Sequence, residues 1–307
     1  MTRAAAPARA ALAVTLALVV AAGCGGGSGS AASSDQATDT TATTEVPTTT
    51  EPTTTTTDAP PTTEAPAPPA PPAPPTTRSL PAATGPLTHV AGRTIALDAG
   101  HNGGNAAHSA EINAQVDAGN GVMKACDTAG TAGDDGYAEF QFTLSVAQTV
   151  RDELVASGAH VVMVRDDSAG WGPCITQRAA VGNAAHADAA LSIHADGNLA
   201  AGARGFHVIL PAVAAGGSGV VAASASLGHD IRDQVATTGM PASNYIGSGG
   251  LITRGDLGGL NLSTVPKVFI ECGNMRQATD LAMLEDPAWR ARLAHAIAAG
   301  FDTYLAG

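Results

Sequence analysis

Thr94-Ile95-Ala96-Leu97-Asp98-Ala99-Gly100-His101-Asn102-Gly103-Gly104 decides how this 307-residue chain is read. Thr94 to Asp98 is a short apolar run halted at Ala99-Gly100, the pattern of a buried strand. A histidine stands just past the halt, among glycines that let backbone and ligand approach closely. Working outward, 138–157 carries Phe142, Val146, Val150 and Leu154 at helical spacing, with Gly158 as the stop. Further strands are predicted over 160–164, 189–194, 205–210 and 267–271. Helices are predicted over 175–187 and 220–238, with two more closing the chain within 279–304. This alternation predicts one α/β domain, 89–307, with a mostly parallel sheet covered on both faces. In such sheets chemistry gathers beyond the carboxyl ends of the strands.

Four polar residues fall at those ends. His101 follows the first strand, His194 ends Leu191-Ser192-Ile193-His194, and Glu271 ends Val268-Phe269-Ile270-Glu271. Glu139 opens the first long helix, after Gly133-Asp134-Asp135-Gly136. Singly, each has an ordinary explanation: a strand-end histidine is often only hydrogen-bonded, and an acid suits the positive end of a helix dipole. Together, two imidazoles and a carboxylate are the ligand set of a catalytic zinc that keeps a position open for water. A second carboxylate beside it can take that water's proton, and Glu271 has the type and place for this.

The blocks Thr94-Ile95-Ala96-Leu97-Asp98-Ala99-Gly100-His101-Asn102-Gly103, Glu139-Phe140-Gln141-Phe142-Thr143-Leu144, 178–188, Leu191-Ser192-Ile193-His194-Ala195-Asp196 and Val268-Phe269-Ile270-Glu271-Cys272-Gly273-Asn274 resemble, in order, the motifs of the zinc-dependent N-acetylmuramoyl-L-alanine amidases of the amidase-3 family. The likeness is greatest to the mycobacterial-type members that carry a disulfide. It covers essentially all of 89–307. It implies a twisted sheet of about six strands flanked by helices, zinc on His101, Glu139 and His194, and Glu271 as the carboxylate that activates water and helps the leaving amine depart. The substrate it implies is peptidoglycan or muropeptides, cut between N-acetylmuramic acid and the L-alanine of the stem peptide. Ala99 stands where family members often have Pro, and the fourth motif ends in Asp196-Gly197; neither touches an implied ligand. Two alternatives stay open on the same architecture: another zinc cell-wall peptidase, and an inactive cell-wall-binding protein.

The rest of the chain fits export. Residues 1–24 read as a signal peptide, with Arg3 and Arg9 before an apolar run of about 13 residues, against roughly 20 for a spanning helix. Ala22-Gly23-Cys24 resembles a lipobox, which makes Cys24 a lipid anchor on the outer face of the plasma membrane. Residues 25–88 are rich in Thr, Pro and Ala and cannot offset their chain entropy by burial, so a disordered stalk is expected. With Cys24 set aside, Cys126 and Cys174 lie in loop-like sequence and are expected to pair, leaving Cys272 as a buried thiol. The net charge of −12, with only 15 Lys and Arg, excludes nucleic acid as a partner class. Monomer is the default state.

The stretch 105–135 is long and Gly/Ala-rich; a hairpin that narrows access to the metal is one form open to it. His108 lies within it. His160, His186, His207, His229 and His295 read as structural or exposed, and Arg165 and Arg178 as supports for the sheet and its loops.

Overall fold

The computed structural model describes residues 86–307. The signal segment, Cys24 and most of the stalk expected from the sequence lie outside those residues. The described chain runs β1 (Thr94–Ala99), a 3-10 turn (Asn105–His108), α1 (Ser109–Ile112), β2 (Gln115–Asp117), β3 (Met123–Ala125), α2 (Glu139–Ala156), β4 (His160–Met163), α3 (Ile175–Ala184), β5 (Ala189–Asp196), β6 (His207–Pro211), α4 (Ser218–Val235), β7 (Leu251–Arg254), α5 (Gly258–Asn261), β8 (Lys267–Asn274), α6 (Ala278–Glu285) and α7 (Pro287–Leu305).

Six strands form one sheet in the order β4-β1-β5-β8-β6-β7. β4, β1, β5 and β8 are mutually parallel, while β6 lies antiparallel to β8 and parallel to β7. The sheet is therefore mostly parallel, with a reversed pair at one edge. β7 was not legible in the sequence, because its four residues follow Gly247, Gly249 and Gly250, all at positive φ. β8 also runs on to Asn274, three residues past Glu271.

Alternation along the strands divides the sheet into unlike faces. Ile95, Leu97 and Ala99 of β1, Leu191, Ile193 and Ala195 of β5, and Val268, Ile270 and Cys272 of β8 point into the main core. α2 delivers Phe142, Val146, Val150 and Leu154 to that core, α4 delivers Leu227 and Ile231, and α7 delivers Leu293 and Ile297. α2 is closed at its start by the Gln141 side chain, which accepts from Ala138 N at 3.1 Å, and at its end by Gly158 at φ 88°. The opposite face carries a small apolar patch of Ala96, Ala187, Ala190 and Val265 under α3. The remaining positions of that face, Asp98, Ser192, His194, Asp196, Phe269 and Glu271, are left to line a cavity.

β2 and β3 form a separate antiparallel hairpin. Its base is tied to the start of α3 by the Cys126–Cys174 disulfide. Its tip is held by Asn261 Nδ2 donating to Ala118 O at 3.0 Å and Asn120 Nδ2 donating to Gly255 O at 3.1 Å. Cys272 is a buried free thiol. No helix among the described residues is long and apolar enough to cross a membrane.

Candidate active site

His101, Glu139 and His194 meet. Each offers a ligand atom lying within 4.8 Å of the others. His194 and Glu271 are register partners in the parallel β5–β8 pair, which places them side by side on one face. All four line a cavity of about 560 Å³, a size ordinary for a small-molecule site.

Each side chain is held by its neighbours. Glu139 is the first residue of α2, where the helix dipole favours a carboxylate. Its Oε1 accepts from Ala195 N at 3.2 Å and faces His194 Nδ1 at 2.9 Å; its Oε2 accepts from Thr131 N at 2.9 Å and faces His101 Nε2 at 3.1 Å. His101 sits at φ 55°, an uncommon conformation for a non-glycine residue and one that recurs at functional sites. Its Nδ1 lies 3.0 Å from Thr128 O and 3.4 Å from Asp127 Oδ1, leaving Nε2 to face Glu139. The His194 ring stacks on Phe269 at 4.1 Å and meets the His101 ring edge-on at 4.7 Å.

Charge is distributed to match. Burial acts to lower His101, but the Glu139 and Asp127 carboxylates outweigh it and push the imidazole up to about 10. Burial acts to raise Glu139, yet His101 and His194 hold it well below the usual carboxylate range. Burial lowers His194 against the pull of Glu139. Glu271 goes the other way: burial, with the Glu139 and Asp196 charges beside it, pushes its carboxyl well up. Glu271 Oε2 is buried with no hydrogen-bond partner.

Beneath these groups lies a buried network that the sequence showed only as supporting arginines. Arg178 donates to Asp98 Oδ1 at 2.7 Å, Asp127 Oδ2 at 2.8 Å and the carbonyl of His101 at 3.1 Å. Asp98 Oδ2 accepts from Ser192 at 2.7 Å and from Lys267 at 3.2 Å. Arg165 holds the carbonyls of Ala99 and Gly100 at 2.9 Å each. The loop carrying His101 is thus bonded from both sides.

His207, read from the sequence as structural or exposed, is buried in the sheet. Because β6 is reversed, its first residue is the register partner of Glu271. His207 is buried and meets Tyr245 edge-on, and the Tyr245 hydroxyl donates to Asp196 Oδ2 at 2.8 Å. Asp127, Asp196 and Tyr245 were also unrecognised, since nothing in their local sequence sets them apart. His108, by contrast, stays outside the cavity lining, pairing with Glu111 at 3.3 Å and stacking on Trp171.

Residues 95–303 match the family model described as N-acetylmuramoyl-L-alanine amidase. The chain belongs to the N-acetylmuramoyl-L-alanine amidase family. Within it, the chain is 37% identical over 235 residues to an N-acetylmuramoyl-L-alanine amidase of Mycobacterium tuberculosis, covering 75% of this chain and 93% of that one. The crystal structure of the amidase Ami1 from Mycobacterium smegmatis is similar at a TM-score of 0.66 with 42% identity, over 71% of this chain and 98% of that one. The apo form of Ami1 from Mycobacterium abscessus matches at 0.66 with 41% identity, over 70% and 100% of the two chains. These three mycobacterial relatives, together with the family match, account for the sheet and its flanking helices.

Proposed function

We propose that the chain is a peptidoglycan hydrolase that cleaves the amide between the lactyl group of N-acetylmuramic acid and the L-alanine of the stem peptide. In this reading His101, Glu139 and His194 hold a zinc ion and Glu271 is the catalytic carboxylate. One observation carries it: three donors of zinc-ligand type converge within 4.8 Å beside a buried, unpartnered carboxylate oxygen in an open cavity. Two imidazoles and one carboxylate, fixed by outer hydrogen bonds, fit a catalytic zinc with a position left for water. Zinc, when bound, supplies Lewis acidity to the amide carbonyl and to water.

The protein's own groups do the rest. Glu271, beside His194 in the sheet register, is the carboxylate that takes the proton of the attacking water and passes it to the departing alanine nitrogen. Asp127 and the Thr128 carbonyl keep the His101 ring turned, and Phe269 keeps His194 flat against the sheet. Export through 1–24, lipid on Cys24 and a stalk at 25–88 belong to the same reading, and would put a monomeric domain at the cell wall.

Replacing Glu271 by Ala tests it. Purified peptidoglycan digested by the wild type should release whole stem peptides, identified by mass, and chelation should stop release. Glu271→Ala should retain bound metal and lose at least about a thousandfold in rate, as expected when a general base is removed from a preorganised site. Undiminished release by that variant would remove the mechanism.

A further inference from the structure

The cavity wall is unevenly charged. Asp98, Asp127, Glu139, Asp196 and Glu271 line it, and apart from the histidines its basic lining residues are Arg178 and Lys124. Arg178 is buried and fully committed, donating to Asp98, Asp127 and four backbone carbonyls, so it has nothing to offer a ligand. Lys124 differs. It stands on β3, the hairpin strand that forms one wall, and its side chain is 35% exposed. Its ammonium reaches Asp256 Oδ2 at 2.7 Å. Asp256, however, is already neutralised: Arg254 grips both its oxygens as a fork, Nε to Oδ1 at 2.8 Å and Nη2 to Oδ2 at 2.7 Å. The trio of Lys124, Arg254 and Asp256 therefore carries one surplus positive charge, and the cavity reaches it at Lys124.

The other lining acids have partners of their own. Asp98 and Asp127 are matched by Arg178 and the buried Lys267. A divalent ion would match Glu139 together with Glu271. Asp196 is held by the Tyr245 hydroxyl. An exposed cation in the wall of an otherwise acidic cavity is fitted to an anionic part of the ligand.

We propose that Lys124 is a specificity residue that receives a carboxylate of the peptide being released. The inference rests on the amidase reading above. In that substrate class the lactyl carboxyl is consumed in the scissile amide, so every free carboxylate lies on the peptide side of the bond. Lys124 thereby orients the substrate with its peptide along the hairpin wall and its sugar toward the other side of the metal ligands. Asp256 keeps the ammonium extended toward the cavity between turnovers, and Arg254 keeps Asp256 in place once the substrate carboxylate arrives.

The test compares a short muramoyl peptide bearing free carboxylates with the same compound fully amidated, on zinc-loaded wild type, Lys124→Met and Lys124→Arg. The wild type should favour the carboxylate form by about tenfold in kcat/KM, expressed in KM, the size expected of one partly screened charged contact. Lys124→Met should treat both compounds alike, at the wild type's amidated level, and Lys124→Arg should restore the preference. Calorimetry with the free peptide and its amide should show the same order of binding, and thermal melts should show all three proteins equally folded. A Lys124→Met variant that keeps the wild-type preference in both measurements overturns the proposal. If the wild type cuts neither compound, the amidase reading fails, and the calorimetric preference still decides whether Lys124 receives a carboxylate.

Discussion

Gly100 lacks a side chain because the His194 ring occupies its place: a Cβ built there would lie 2.2 Å from His194 Cε1 and 2.5 Å from Nδ1. Gly130 closes the other side, where a Cβ would lie 2.7 Å from His101 Cδ2 and 2.9 Å from Glu139 Oε2, at φ 79°. The triad thus sits in a backbone cradle without slack, and close packing transmits small shifts rather than absorbing them. Gly100→Ala should turn the His194 ring off its ligand position and weaken metal binding by about 10–100-fold, the range seen when outer support of a metal ligand is lost. Competition against a chromophoric chelator would measure it, and unchanged affinity would show that His194 does not depend on the cradle. His101, Glu139, His194 and Glu271 could be picked out beforehand because each ends or opens an element next to glycine or an apolar run. Asp127 and His207 could not. Asp127 follows a cysteine whose disulfide partner stands 48 residues away, and His207 comes to lie beside Glu271 in the sheet through a strand reversal that no local pattern announces.

At the scale of elements, the main core depends on α4 and α7 lying unusually close. A Cβ on Gly300 of α7 would fall 2.8 Å from Ile231 Cα and 2.7 Å from Ile231 Cδ1. Backbone cannot yield as a side-chain tip can, so the two helices would have to part. Gly300→Ala gains helix propensity of about 1 kcal/mol, yet overpacking at a rigid contact costs about 1–3 kcal/mol, leaving a net loss. Gly219→Ala, in α4 where a Cβ meets nothing within 4 Å, carries the propensity gain alone. Urea unfolding should therefore move in opposite directions for the two variants at a common m-value. Movement in the same direction would mean that the helix contact is looser than it stands here. Helices such as α2 were legible because their periodicity spans several turns and ends at a glycine. The hairpin stood only as one form open to 105–135, and β7 was not legible at all, because strands of three or four residues give no period to read and are made by their partners. The parallel part of the sheet followed from strand–helix alternation, whereas the reversed β6–β7 edge is a consequence of tertiary packing.

For the molecule as a whole, two register partners shift stability in opposite senses between pH 7 and pH 5. Burial, assisted by Arg254 and opposed by Asp196, lowers His207 to about 4, and its Nδ1 is buried without a hydrogen-bond partner. As pH falls below the ordinary imidazole value, the unfolded chain takes up a proton that the folded chain refuses. Stability is then lost down to about pH 4, below which both states are protonated. At pH 5 this amounts to about 2 kcal/mol. Glu271 is the converse case, since its carboxyl is pushed up by burial and by the Glu139 and Asp196 charges. In the window between the ordinary carboxylate value and the raised one, the folded chain binds the proton more tightly. Folding is therefore penalised at neutral pH, and the penalty is relieved on acidification. In metal-stripped protein, urea titrations at pH 7 and pH 5 should show His207→Gln losing less stability on acidification than the wild type, and Glu271→Gln losing more. The sign of each slope is the test, so a general destabilisation by either substitution leaves it intact. Two variants that merely ran parallel to the wild type would mean that the sheet edge shared by β6 and β8 is wetter than its packing allows.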